Sequence, residues 1–141
     1  VRLARVFRTR RAAATAVALV LASAPVQGCA GTPRTTANFC TRLSTMLPAI
    51  GTVPATPMEV DEMVARYDLL LEVAPLEVED DLRSVAEVFR AASTMDPADA
   101  DSVQRVVDLA YLSELSAADA ARWVSASCGV DLATGLAVAG G

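Results

Sequence analysis

Histidine and lysine are both absent from the 141 residues. Without an imidazole there is no Ser-His-Asp arrangement, no imidazole base near neutral pH and no histidine-bearing zinc site. Without an ε-amine there is neither a Schiff-base lysine nor a phosphate-loop lysine. Aromatic residues are scarce as well: three Phe, two Tyr and one Trp make a poor platform for a saccharide. Carboxylates are missing from the first 58 positions, and all 17 follow them. Five of the 12 arginines (Arg2, Arg5, Arg8, Arg10, Arg11) fall in the first eleven positions, so beyond them seven are left to balance the 17 carboxylates, and the net charge of −5 for the whole chain becomes about −10 there. A field of that sign repels phosphate backbones and anionic headgroups. A nucleic-acid partner is therefore not expected.

No apolar run is long enough to span a bilayer. The longest, Ala12 to Ala24, has 13 uncharged residues, where a spanning helix needs about twenty. Behind the basic segment 1–11 it has the proportions of a signal-peptide core, with the arginines holding the amino terminus on the cytoplasmic side. Pro25 breaks that helix and leaves the following residues extended for a peptidase. Val26-Gln27-Gly28-Cys29 resembles a lipoprotein processing box, although Gln27 stands where a small residue is usual. On this reading residues 1–28 are removed, Cys29 is acylated, and the domain is lipid-anchored to the cell membrane. Ordinary cleavage after Ala30, with Gly28 and Ala30 as the small specificity residues, is the competing expectation and gives a secreted protein. Arg10-Arg11 leaves the export route open between the general and the twin-arginine pathways.

Both processing routes leave Cys40 and Cys128 as the remaining cysteines. An even pair in an oxidising compartment reads as a disulfide. Closing a loop of this length is worth about 4–5 kcal/mol in the chain-entropy model. A redox-active pair is the other reading, but there is no CxxC spacing and no adjacent base to lower a thiol pKa.

Beyond the leader, residues 29–37 are small and polar and read as a tether, 38–131 as one helical domain, and 132–141 as a flexible tail. Phe39, Cys40, Leu43, Met46, Leu47 and Ile50 recur at helical spacing and predict a first helix ending before Gly51, with Pro48 tolerated in its last turn. Thr56-Pro57-Met58-Glu59 combines a capping Thr, Pro at the first helical position and Glu three residues after the cap. The helix it opens carries Val60, Met63, Val64, Tyr67, Leu70 and Leu71 on one face, up to Ala74-Pro75. A third helix from about Leu76 to Thr94 turns Leu82, Val85, Ala86, Phe89 and Ala92 inward. Asp96-Pro97-Ala98-Asp99 opens a fourth, bearing Val103, Val106, Val107, Ala110 and Tyr111. Ser116-Ala117-Ala118-Asp119 predicts the cap of a fifth, with Ala120, Val124 and Cys128 inward and Gly129 as its stop. No segment alternates with period two. The expected fold is all-α: a small antiparallel bundle of four to five helices closed by one disulfide.

Three short motifs, Phe39-Cys40, Ala74-Pro75 followed by Glu77 to Asp81, and Cys128-Gly129-Val130, make the chain resemble small exported or lipidated helical proteins of actinobacteria. The resemblance covers most of the domain. It implies an extracytoplasmic compartment and a helical fold, and carries no activity with it.

Glu77, Glu79, Asp80 and Asp81 are the candidate partner surface, although carboxylates in the first turn of a helix are also stabilised by its dipole. The segment has no glycine for a calcium loop. Asp96 and Asp99 read as caps and Asp101 as a solvated charge. Trp123 lies beside the core face of the last helix and reads as core, with an interface or pocket as the other possibility. With no groove and no carboxylate given a reason for a raised pKa, an enzyme is not expected, nor a cofactor or metal. The leading expectation is an extracytoplasmic, membrane-tethered, non-enzymatic interaction module whose partner is another envelope or extracellular protein. A carrier or sensor of an apolar ligand, and a soluble secreted binder or inhibitor, are the other readings.

Overall fold

The computed structural model describes residues 31–132. The segment 1–28 read as a signal peptide, Cys29 read as the acylation site, Ala30 and residues 133–141 lie outside the described residues. Among those described, all regular structure is helical: α1 (Thr36–Met46), α2 (Pro57–Leu71), α3 (Leu76–Ser93), α4 (Ala100–Leu112) and α5 (Glu114–Cys128), with a 3-10 turn at Ala49–Gly51 between α1 and α2.

Each boundary has a local cause. The Thr35 hydroxyl accepts from the Asn38 amide and caps α1, which starts at Thr36, two residues ahead of the expected boundary at 38. Pro48 does not sit in the last turn of α1 as expected. A proline ring disfavours the helical region for the residue before it, so Leu47 is extended and α1 stops at Met46; the Leu47–Pro48 peptide is cis. Ile50 still reaches the core, from the 3-10 turn. The α2 capping box forms as read. The Thr56 hydroxyl accepts from the Glu59 amide at 3.3 Å, and the Glu59 carboxylate accepts from the amides of Ala55 and Thr56 at 2.8 and 3.0 Å. Asp96 and Asp99 divide their work. Asp96 closes the turn by accepting from the Ala98 amide at 2.9 Å, and Asp99 caps α4 by accepting from the Asp101 amide at 3.0 Å.

The junction of α4 and α5 departs from the sequence reading. Ser116 is not a cap, because α5 already begins at Glu114. Ser113 alone separates the two helices: its amide donates to Leu109 and its carbonyl accepts from Ala117. Its buried hydroxyl donates to the Ser84 carbonyl at 3.2 Å, which fastens the corner to the middle of α3. Gly129 ends α5 at φ 67, the left-handed conformation that glycine adopts without strain.

Helix α3 is the centre of the bundle and packs against α2, α4 and α5, while α1 closes it against α5 and α2. The core joins Phe39, Leu43 and Met46 of α1 to Met63, Tyr67 and Leu70 of α2, Val78, Leu82, Val85 and Ala86 of α3, and Ala120 and Val124 of α5. Trp123 is half-buried and meets the Phe39 ring edge-on at 5.4 Å, so it is part of this packing. Tyr67 stacks on Phe89 at 5.3 Å, and burial pushes its phenol pKa well up. Leu132, assigned by sequence to the flexible tail, is buried.

Cys40 and Cys128 form the disulfide, with 5.3 Å between their Cα atoms and 88 residues of separation. It joins α1 to the carboxyl end of α5. The fold is therefore an all-helical bundle closed by one disulfide.

Candidate functional site

The carboxylates at the start of α3 are unequal in their surroundings. Glu79, with a side chain only 18% exposed, pairs with both Arg34 and Arg83. Asp80 pairs with Arg83 at 2.7 Å. The Arg34 hydrogen bond, helped by the charges of Arg34 and Arg83, holds the Glu79 carboxyl below its ordinary pKa. Glu77 and Asp81 make no ion pair among the described residues. Half of the predicted acidic surface is thus neutralised from within the chain. Nor do His, Cys, Asp and Glu side chains cluster anywhere among the described residues in a group of three that could hold a metal ion.

Arg34 makes a second contact that sequence reading missed. Its Nε donates to the Ala74 carbonyl at 2.7 Å. Within the stretch read as a tether, Arg34 is therefore pinned to the corner between α2 and α3 just before α1 begins. An arginine 40 positions from its acceptor in sequence gives no local signal of such a tie.

A different surface lies at the corner of α4 and α5. Helix α4 has five apolar residues expected on its inner face, but they do not share one burial. Val103, Val106 and Ala110 are half-buried. Val107 and Tyr111 are 54% and 77% exposed, and Leu112 and Leu115 beside them are 75% and 79% exposed. Val107 and Tyr111 are thus corrected from inward to outward. At about 100° per residue, positions 107 and 111 lie to one side of the stripe that meets α3. Ser102 is the one residue of α4 that is buried. The sequence did contain a signal: apolar residues spread over too wide an arc of α4 for one contact stripe, and continue into Leu112 and Leu115 at the junction.

Carboxylates alternate with these side chains. Asp108 follows Val107 and accepts from the Gln104 side-chain amide at 2.8 Å, and Glu114 lies between Leu112 and Leu115 without an ion pair among the described residues. The corner sits at the opposite end of α5 from Cys128, a helix of 15 residues away, or roughly 21 Å at 1.5 Å per residue.

An open groove of about 300 Å³ lies between the start of α1 and Val73, lined by Thr32, Asn38, Thr41, Arg42 and Thr45. The Thr41 and Thr45 hydroxyls donate to carbonyls of their own helix. The groove is open to solvent rather than enclosed, whereas sites for apolar cargo bury most of the ligand. Among the described residues no helix is long and apolar enough to cross a membrane.

The chain matches no family model, and no curated protein and no solved structure shows significant similarity to it.

Proposed function

We propose that this protein is an extracytoplasmic interaction module, tethered to the membrane through an acylated Cys29 and working by binding another envelope or extracellular protein rather than by catalysis. The observation that carries the reading is the apolar corner of Val107, Tyr111, Leu112 and Leu115, held outward on a bundle whose outer helices are joined by a disulfide. Four large apolar side chains grouped at one corner of a small domain mark an interaction surface more often than chance exposure does. The disulfide suits an oxidising compartment. The basic and apolar leader, the Val26-Gln27-Gly28-Cys29 box and the likeness to exported actinobacterial helical proteins favour the same compartment. Cleavage after Ala30 would leave the same binding domain soluble outside the cell.

Site-specific photo-crosslinkers placed in turn at Leu112, Leu76 and Asp81, in the protein expressed in its own host, test the role. A discrete covalent adduct with one envelope or extracellular protein, from at least one position, is the expected result. No adduct from any of the three would overturn the interaction role.

A further inference from the structure

We infer that the α4–α5 corner docks a basic protein partner with an apolar face, Val107, Tyr111, Leu112 and Leu115 taking its apolar side chains while Asp108 and Glu114 meet its cations. The inference rests on the interaction role proposed above and specifies which surface performs it and what chemistry that surface accepts.

Area and charge select the occupant. From their exposures, the four side chains present roughly 500 Å² to solvent. Two copies of the chain facing each other through this corner would bury about 1,000 Å², the floor for a specific interface. Each copy would also bring 17 carboxylates against seven arginines beyond the leader, a like-charge penalty that so small an interface does not offset. A second copy is therefore the weaker occupant. An anionic membrane surface meets the same repulsion.

The local charges have the same sign as the whole. Asp101, Asp108 and Glu114 lie on α4 and at the start of α5, opposed by Arg105; Arg122 is already paired with Asp119 and adds no net charge. A partner carrying arginines or lysines around an apolar stripe answers both features at once, its cations steering the encounter and its apolar side chains holding it. The acidic start of α3 lacks this combination. Arg34 and Arg83 occupy Glu79 and Asp80, and exposed Leu76 is its single large apolar side chain. The corner is also one length of α5 away from the disulfide, which sits in the first half of α1, so a chain tethered ahead of α1 would present it away from the anchor.

The probe is a pair of synthetic amphipathic helical peptides of about 18 residues, about five turns, identical in their leucines and differing in lysine against glutamate on the polar face. Binding to the purified full chain is read by anisotropy at about 50 and 200 mM salt. The lysine peptide is expected to bind and the glutamate peptide not to. The double variant Leu112→Ser with Leu115→Ser should weaken binding by about tenfold or more. Asp108→Asn with Glu114→Gln should weaken it less and flatten its salt dependence. Glu77→Gln with Asp81→Asn should leave it unchanged; circular dichroism melting of the leucine variant should match the parent, and the two carboxylate variants, each losing a first-turn charge, should melt slightly lower while remaining fully folded at the assay temperature.

Binding lost in the Glu77→Gln, Asp81→Asn variant but retained in the leucine variant would move docking to α3 and overturn the inference while leaving the interaction role intact. Equal binding of both peptides would remove the basic partner. Dimerisation in sedimentation that the leucine variant abolishes would make a second copy the occupant. Binding of neither peptide overturns the inference, and the interaction role then stands or falls on the crosslinking result.

Discussion

Leu43 and Leu112 have the same side chain and opposite surroundings, and the difference sets what each contributes. Leu43 is fully buried on α1, whereas Leu112 is 75% exposed. Leu43→Ala should lower unfolding free energy by about 2–5 kcal/mol, through lost burial and the cavity left behind. Leu112→Ala should change it by no more than about 0.5 kcal/mol. Urea unfolding of the two variants checks both, and equal losses would show that Leu112 belongs to the core. Glu79 sets an acid limit at the same scale. Its folded pKa lies below the ordinary carboxylate value because Arg34 and Arg83 favour the charged form. The stability it contributes is therefore fully present above about pH 4.3, the unfolded value, and lost as pH falls through the lower folded value. Arg34→Ala should make the acid loss shallower without abolishing it, since Arg83 remains; an unchanged slope in stability measured from about pH 5 to pH 2 would mean that Arg34 does not act on Glu79.

Among the helices, α4 stands apart. It places no apolar side chain in the fully buried core, so its hydrogen bonds are protected by fewer packed neighbours than those of α3. Amide exchange should accordingly be faster in α4 than in α3 by a wide margin; equal protection would mean that α4 opens only with the whole domain. The way the elements were specified explains which of them could be read. Helices punctuated by threonine, proline or glycine, such as α2 from Thr56 and α5 to Gly129, follow from local chemistry. The α4–α5 junction has no such residue. Ser113 makes the break through its position against Ser84, a contact between distant parts of the chain. The wide apolar arc of α4 signalled more apolar surface than one contact stripe needs, but which of those residues are covered is decided only by the neighbouring α3. The docking corner was missed for that reason. The acidic start of α3 could be picked out by composition, but its partial neutralisation by Arg34 depended on a tie across the fold.

At the scale of the whole molecule, one covalent bond joins α1 to the end of α5 around a core that other helices complete. Its removal should be felt everywhere. Replacing Cys40 and Cys128 together by serine should cost about 2–5 kcal/mol of unfolding free energy, since the unfolded chain regains the freedom of a loop of 88 residues. Thermal melts of parent and variant check this, and coincident melts would show that packing alone holds α1 to α5. The bridge also links fold to location, because the proposed role needs a chain that crosses to an oxidising compartment and stays near the membrane. The intact mass of the protein recovered from its own host, under non-reducing conditions, tests that link most directly. The expected species is a chain beginning at Cys29 with acyl groups added, lighter by about two hydrogens than the same chain after reduction. An unacylated chain beginning at Gly31 would contradict the tether, and a mass unchanged by reduction would contradict the disulfide on which the fold and the compartment both depend.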